Sequence, residues 1–334
     1  MKLASLKDGG RDGSLIVVSK DLSLAARAAD IAPTLQYALE NWDAVAPRLR
    51  QLFEAVDDNQ AEGVFSLEPA DLASPLPRAY QFLDGSAYLA HVERVRRARG
   101  AEMPPSFLTD PLMYQAVSDG FHPPTGTIPV ESEDFGIDFE AEVCVITDDV
   151  PMGIRPEDAL AHVVLICLVN DVSLRNLIPA ELGKGFGFMN SKPRSALSPV
   201  AVTPDQLGDS WKDGKIHLPL VTHYNGELFG NPECGVDMQF DFGELIAHAA
   251  RTRPLAAGTI IGSGTIANED ESRGSSCLAE RRVLEIIAGG EATTPFMRFG
   301  DTVRIEMLDR DGMSIFGAVE HMIARYDGSD PEDR

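Results

Sequence analysis

An alternation of acidic and apolar residues between positions 136 and 145 constrains the fold of this chain more than any other feature. In a β-strand successive side chains point to opposite faces, so Asp138, Glu140 and Glu142 would share one face. Carboxylates about 7 Å apart repel one another, and a divalent cation with oxygen ligands would relieve that repulsion. The stretch therefore indicates half of a metal site. A strand with one solvated face is the simpler interpretation, and the rest of the chain decides between the two.

Net charge limits the partners of the protein. The chain has 334 residues, of which 29 are Lys or Arg and 52 are Asp or Glu, giving a formal net charge of −23. Nucleic acids and anionic membranes both bind basic surfaces, so neither is an expected partner. With 44% hydrophobic residues the chain can form one large domain and a small one. We therefore expect a small-molecule ligand.

The cysteines and the apolar runs indicate the compartment. The four cysteines are widely spaced and include no Cys-x-x-Cys pair, so buried free thiols in a reducing compartment are the default interpretation. The N-terminus lacks an apolar core of signal-peptide length, and the longest apolar run, residues 163–169, is far too short to cross a membrane. These features predict a cytoplasmic protein.

The N-terminal quarter has the pattern of a small separate domain. Apolar segments at 1–6 and 14–18 predict a hairpin, and a periodic pattern over 33–56 predicts a helix that Pro47 breaks or kinks. A Pro-rich linker follows at 74–77. We expect a small N-terminal domain at 1–76, a catalytic domain at 77–326 and a polar, disordered tail at 327–334.

Two segments after the linker carry candidate functional residues. A helix is expected over 86–99, with His91 and a basic tail of Arg94, Arg96, Arg97 and Arg99. Taken alone, a single helical histidine is more often a surface or core residue than a catalyst, and an arginine run is a solvated face. The Pro- and Gly-rich residues 107–130 predict a long loop that carries Tyr114, and such loops are often functional.

The second half of the chain reads mostly as β structure. Asp171 directly follows the buried strand 163–169, where an acid is either a cap for the next turn or a ligand at the rim of a sheet. The glycine-rich residues 183–187 before Lys192 lack the spacing of a phosphate loop, so we expect no nucleotide site. One helix is expected at 243–251, and strands are expected at 199–202, 218–224, 238–242, 254–266, 278–287, 301–308 and 314–323.

Several hydrolytic chemistries lack their motifs. The chain has no Gly-x-Ser-x-Gly elbow and no His-Glu-x-x-His zinc motif. Its seven histidines are scattered and form no pair at ligand spacing on one element. A carboxylate-rich site therefore favours Mg²⁺ or Ca²⁺ over Zn²⁺.

Several short motifs together resemble the fumarylacetoacetate hydrolase family in order and spacing. They are Asp138-Phe139-Glu140-Ala141-Glu142, Asn170-Asp171-x-Ser173-x-Arg175, a glycine-rich approach to Lys192, and Gly264-Thr265-Ile266. The segment Gly85-x-x-Tyr88-x-x-His91 is similar to the lid helix of that family, with Ala87 where asparagine is common. The combination is specific although no single motif is.

The resemblance implies a fold, a cofactor and an assembly. The fold would be α+β and mostly β: a β-sandwich roll around a divalent metal, with a small N-terminal domain. The metal would be Mg²⁺ or Ca²⁺, with Mn²⁺ as a further candidate, and the assembly would be a homodimer. Members of the family cleave or rearrange 1,3-dicarbonyl and acylpyruvate-like acids.

Carried over position by position, the resemblance also implies residue roles. The metal ligands would be Glu140, Glu142 and Asp171, with Asp84 as a further acid. His91 would activate water, Arg175 and Lys192 would be cations near the substrate, and Tyr114 and Thr265 would contact it.

The acid that orients the lid histidine has no single match. In short bacterial-type members it lies three residues after the histidine, where this chain has Arg94, and Glu93 is one position off. In longer members it comes from the strand after the Gly-Thr-Ile motif, where Glu280 is the best match and Glu269 a weaker one. The turn after Arg175 also lacks the glutamine of the eukaryotic enzyme, so the substrate stays open.

Three functions are compatible with these residues. The first is a metal-dependent hydrolase that cleaves a carbon–carbon bond in fumarylacetoacetate or a related acylpyruvate, in aromatic-compound catabolism. The second is a decarboxylase or isomerase of a 2-oxo-dienedioate that uses the same metal site. The third is a non-catalytic β-sandwich whose cation is only structural, in which loss of His91 would change nothing.

Overall fold

A computed structural model of the protein describes residues 1–98 and 102–328. Arg99 of the expected basic tail lies outside the described residues, as do residues 329–334 of the expected polar tail. The described chain has an α+β fold in which strands form two large sheets and helices cover them. In the described part of the chain no helix is long and apolar enough to span a membrane.

The strands of the first half are β1 Lys2–Leu6, β2 Ser14–Val18, β3 Leu24–Arg27, β4 Phe65–Ser66, β5 Leu72–Ala73, β6 Gln81–Gly85, β7 Met113–Ala116, β8 Thr125–Val130, β9 Ile137–Asp138, β10 Ala141–Thr147 and β11 Val163–Asn170. Those of the second half are β12 Ser173–Leu174, β13 Ala196–Leu197, β14 Ala201–Val202, β15 Trp211–Lys212, β16 Lys215–Ile216, β17 Val221–Tyr224, β18 Glu227–Gly230, β19 Thr259–Gly262, β20 Thr302–Glu306 and β21 Val319–Arg325. The α-helices are α1 Leu35–Glu40, α2 Trp42–Asp57, α3 Leu89–Ala98, α4 Pro156–Ala159, α5 Ile178–Leu182, α6 Phe242–Ala249 and α7 Leu278–Gly289.

The larger sheet has 12 strands and contains the N-terminal hairpin as well as the central strands. Ten of them follow the order β4-β3-β2-β1-β14-β11-β10-β19-β6-β7, and the other two lie off this path, with β13 paired to β11 and β5 paired to β1. The expected hairpin is confirmed as β1 and β2, and β1 also pairs with β14 through Lys2 and Val202. The sheet thus continues past residue 76, and the domain boundary expected there remains a prediction.

The core lies on both faces of this sheet. The smaller sheet, β18-β17-β20-β21-β8, packs on one face, where Val143 and Val145 join a cluster with Val303 and Ile305. On the other face Cys144 packs among side chains of α1 and α2. Because both faces of the sheet are covered here, the side chains on both sides of a central strand are buried. This explains why every residue of β10 and β11 is buried.

Helix α2 corrects the expectation for Pro47. The helical pattern breaks at Asn41, whose backbone is non-helical (φ −127°, ψ 28°), and Pro47 lies inside α2. Proline removes one backbone donor, which deprives the carbonyl of Asp43 of its helical partner. Both residues are exposed, so water can replace the lost hydrogen bond.

Residues 107–130 are not one long loop. They contain β7, which places Tyr114 on a strand, and β8, which includes Pro129. The many prolines and glycines suggested irregular backbone, but β8 is an edge strand of the smaller sheet, where a missing backbone donor is tolerated.

Two other expected strands are wrong. Residues 238–242 form no strand, because Asp241 begins α6 with a reciprocal cap: its carboxylate accepts from the Glu244 N–H, and Glu244 accepts from the Asp241 N–H. Residues 278–287 belong to helix α7. Its first N–H groups, from Leu278 and Ala279, donate to the carboxylate of Asp138 at 2.8 and 2.9 Å.

The acidic stretch itself is interrupted. Ile137 and Asp138 form β9 with β12, whereas β10 begins at Ala141 in the larger sheet. Asp138 therefore belongs to a different strand pair from Glu142, and the expectation of one continuous strand carrying all three acids is wrong.

Candidate metal centre

Four buried carboxylates converge at one point of the larger sheet. They belong to Asp84, Glu140, Glu142 and Asp171, and one oxygen of each lies within 4.8 Å of the others. Asp84 lies on β6, Glu142 on β10, and Asp171 directly after β11. Because β11, β10, β19 and β6 are consecutive in the sheet, these chain segments meet although they are far apart in sequence.

Backbone pairing brings these acids together. The Asp171 N–H donates to the Glu140 carbonyl at 3.0 Å, so the two residues lie opposite each other just beyond the β10–β11 ladder. Asp84 lies opposite Gly262 of β19, and the Gly264 N–H donates to its carboxylate at 3.2 Å. A Cβ atom at Gly262 would lie 2.2 Å from that carboxylate, so any other residue there would displace the carboxylate of Asp84.

Two cations contact part of the cluster. The Lys192 ammonium donates to Asp171 and, at 3.2 Å, to Glu140. The Arg175 guanidinium binds Asp138 at 2.8 Å and also contacts Glu140. Burial opposes ionisation of Glu140, yet the charges of Arg175 and Lys192 outweigh it and hold the pKa of Glu140 below its usual range.

The other two carboxylates lack such compensation. Burial, reinforced by the charge of Asp171, raises the pKa of Asp84 to about 8. Burial and the charge of Asp84 raise the pKa of Glu142 well above its usual range. Neither carboxylate oxygen of Glu142 has a hydrogen-bond partner among the described residues. A buried carboxylate of this kind is costly unless it binds a cation.

The donor set fits a hard divalent cation. All four ligands would be carboxylate oxygens, which suit Mg²⁺, Ca²⁺ or Mn²⁺. The orphaned oxygens of Glu142 point to the same conclusion, because such a cation would supply the missing partner.

Hydroxyl groups hold the cluster in place. Ser195 donates to Asp171 at 2.8 Å, Ser173 donates to Glu140 at 3.2 Å, and the Tyr114 hydroxyl also donates to Asp171. Sequence reasoning assigned no role to the two serines. Ser173 belongs to the motif that carries Asp171, which was the available signal.

Tyr114 contacts the cluster through Asp171, and Thr265 is adjacent in sequence to Gly264, which binds Asp84; their substrate role remains a prediction. The Tyr114 ring meets Phe188 edge-on at 4.9 Å, and the Lys192 ammonium lies 5.2 Å from its centroid. Thr265 is buried and follows Gly264, which binds Asp84. Phe188 was not expected from the sequence, because only the fold brings it against Tyr114 of β7.

His91 faces Glu280. The histidine lies in the first turn of α3, and its Nδ1 is 3.9 Å from a Glu280 carboxylate oxygen. Glu280 lies in the first turn of α7 and is fully buried. The side chains of Glu93 and Glu269 are exposed, so of the three candidate acids only Glu280 is placed beside His91.

Asp138 is not one of the four clustered carboxylates, and its partners hold other parts of the fold in place. Besides Arg175 it binds the first two N–H groups of α7, and so fixes the helix end that carries Glu280. The residue thus connects the metal cluster to the acid that faces His91.

Comparison with known families matches residues 81–324 to the fumarylacetoacetate hydrolase C-terminal domain and residues 1–78 to fumarylacetoacetase N-terminal domain 2. An oxaloacetate tautomerase of Bacillus subtilis is 26% identical over 66% of this chain and 70% of its own length. A 2,4-didehydro-3-deoxy-L-rhamnonate hydrolase of Sphingomonas sp. is 25% identical over 65% of this chain and 76% of its own length. A mitochondrial oxaloacetate tautomerase of Xenopus laevis is 28% identical, and the chain spans about half its length, 47%.

Solved structures show the same fold. The maleylpyruvate hydrolase of Sphingobium sp. SYK-6 superposes with a TM-score of 0.66 at 15% identity, covering 98% of this chain and 100% of that one. The expected α+β architecture is thereby confirmed. Since the two family models together match nearly the whole chain, the protein belongs to the fumarylacetoacetate hydrolase family.

Proposed function

We propose that the protein is a metal-dependent hydrolase that cleaves the carbon–carbon bond of a 1,3-dicarbonyl acid of the acylpyruvate or fumarylacetoacetate type. The observation that carries the proposal is a His91–Glu280 pair in the same chain as a buried carboxylate cluster, with His91 near enough to Glu140 to help lower the pKa of that carboxylate. A protein that only binds a cation would need the carboxylate cluster but no general base near it.

The cofactor would be held by Asp84, Glu140, Glu142 and Asp171. A divalent cation bound there would act as a Lewis acid toward the oxygens of a 1,3-dicarbonyl group. The magnesium, calcium and manganese ions all suit these oxygen ligands.

The chain itself would supply the proton transfers. His91 would take a proton from water while Glu280 fixes its tautomer, and the hydroxide oxygen would bond to the acyl carbon. The carbon–carbon bond would then break, its electron pair would form the enolate of the departing fragment, and the proton that His91 took from water would return to the enolate carbon to complete the ketone. Arg175 and Lys192 would stabilise negative charge on oxygen, and Tyr114 and Thr265 would position the substrate.

A tautomerase or isomerase is the second candidate. Two of the relatives above are named oxaloacetate tautomerases, and enolisation of a 2-oxo acid needs the same cation and the same base without any bond cleavage. A decarboxylase of a 2-oxo-dienedioate would also use an enolate at this site.

One panel assay separates these reactions. Purified protein with Mg²⁺ or Mn²⁺ would be offered acetylpyruvate, fumarylacetoacetate, oxaloacetate and a 2-oxo-dienedioate, with chelated protein as control. Release of two acids from a dicarbonyl substrate supports the hydrolase. Interconversion of keto and enol forms without new products, or release of CO₂, would replace it by the second candidate or by a decarboxylase.

A further inference from the structure

Arg94 lies one helical turn after His91, at the position where short family members have an acid. One of its amino groups donates to Glu280 at 2.8 Å, and the other donates to the carbonyls of Asn268 at 2.7 Å and Glu269 at 3.1 Å. We propose that Arg94 is a positioning residue that fixes both Glu280 and helix α3, so that the buried acid faces His91. This inference rests on the proposed function, because it assigns His91 the role of base.

The first argument is the charge of Glu280. Its side chain is fully buried, whereas that of Arg94 is 12% exposed. One carboxylate oxygen has no hydrogen-bond partner among the described residues, and the other accepts from Arg94. A buried carboxylate needs a cation or several donors, and Arg94 supplies the cation.

The second argument is that Arg94 and His91 face the same carboxylate oxygen of Glu280. The Glu280 oxygen that binds Arg94 at 2.8 Å is also the one 3.9 Å from His91 Nδ1. His91 Nδ1 is buried and has no hydrogen-bond partner among the described residues. Residues three apart on a helix share a face, so Arg94 holds the acid on the side where His91 lies. A small approach of the ring would complete an Nδ1–H hydrogen bond and leave Nε2 free to accept a proton.

The third argument is the anchor on the other side. Asn268, whose carbonyl Arg94 binds, is itself held by hydrogen bonds to the backbone of Glu233 and Val236. Arg94 therefore ties α3 to a fixed part of the core. One amino group of the planar guanidinium binds the carboxylate and the other binds both carbonyls, and lysine would keep the charge but lose this fork.

The experiment compares Arg94→Met, Arg94→Lys and Glu280→Gln with Arg155→Met, which removes an arginine whose ion pairs are exposed. We expect Arg94→Met to lower kcat at least tenfold with KM and Mn²⁺ affinity nearly unchanged, and Arg94→Lys to recover part of the loss. A double-mutant cycle with Glu280→Gln should be strongly non-additive. Arg155→Met should behave as wild type.

A spectroscopic readout keeps the test independent of activity. Nitrogen-15 NMR of the His91 ring, assigned with His91→Gln, reports its tautomer. We expect Nδ1–H in the wild type and in Arg155→Met, and loss of that preference in Arg94→Met and Glu280→Gln. If the wild type catalyses none of the panel reactions but shows this dependence, the proposed function fails and the role of Arg94 stands. If folded Arg94→Met keeps the wild-type tautomer, or if kcat is unchanged or the cycle additive, the inference is overturned.

Discussion

Glu142 is a fully buried carboxylate that faces other acids and has no hydrogen-bond partner among the described residues. Glu142→Gln keeps the shape and removes the repulsion, so the metal-free protein should melt at a higher temperature. The same change removes a proposed ligand, and Mn²⁺ affinity should fall by more than about 100-fold. Calorimetric titration and thermal melting in chelator measure the two effects, with exposed Glu93→Gln as control. Unchanged Mn²⁺ affinity would remove Glu142 from the site.

His91 separates an enzyme from a binding module. It is not among the clustered carboxylates, so His91→Ala should leave the fold and the metal affinity nearly unchanged. If His91 is the base, turnover should fall by roughly 10²–10⁴ and the acidic limb of the pH–rate profile should disappear. Wild-type turnover with an intact acidic limb would show that the histidine is only a helix residue.

The charged residues of the site can be predicted from the sequence more completely than the residues that hydrogen-bond to them. The family resemblance implied Asp84, Glu140, Glu142 and Asp171 as ligands, and the structure brings all four together. Ser195 was missed, because a hydroxyl in a loop has no periodic pattern that marks it as a donor to Asp171. The group that a side chain binds depends on tertiary contacts, and these cannot be read from the spacing of residues along the chain.

Helix α7 shows the same limit for whole elements. Apolar residues recur in 278–287, and the strand expected there was wrong because the helix start is stabilised from outside: Asp138, about 140 positions earlier, accepts its first N–H groups. By contrast, β1, β2 and β11 were expected correctly, because their apolar runs are decided locally. The expectation for 278–287 therefore failed because a distant side chain helps to determine where the helix begins.

Asp138, which caps α7, and Asp241, which caps α6, allow the stability effects of two helix caps to be compared. Asp138→Ala removes the cap of α7 and also removes one of the two carboxylate partners of Arg175, whose side chain is only 15% exposed, so unfolding free energy should fall by about 3 kcal/mol. Asp241→Ala removes only the cap of α6 and should cost about 1 kcal/mol. Urea unfolding of both variants checks the order. Equal losses would mean that Asp138 is an ordinary cap.

For the whole molecule we expect a homodimer, as the family resemblance implies. One chain has a mass of 36.1 kDa, so sedimentation at micromolar concentration should give twice that value. The same experiment on the Glu142→Gln variant shows whether the bound cation affects assembly. A monomer at these concentrations would contradict the expectation.

The stability of the whole fold should depend on pH through His321, which lies on β21 and is 2% exposed. Its Nε2–H donates to the Pro123 carbonyl at 2.8 Å, while Nδ1 has no partner among the described residues. Burial lowers the pKa of His321 to about 4, from 6.5 in the unfolded chain. Between these values the unfolded chain binds a proton that the folded protein does not, so stability falls as pH decreases.

This difference of pKa corresponds to about 3 kcal/mol, fully present as stability above pH 6.5 and lost by about pH 4. His321→Gln keeps an amide N–H for Pro123 and cannot titrate, so it should remove that part of the decline. Urea unfolding of wild type and variant from pH 7 to pH 4 measures it, and the difference between the two curves isolates His321 from the acids that titrate in the same range. Relative to the variant, the unfolding free energy of the wild type should fall by about 3 kcal/mol between pH 6.5 and pH 4, because only the wild type loses this contribution. Parallel curves would show that His321 binds its proton equally well in the folded protein.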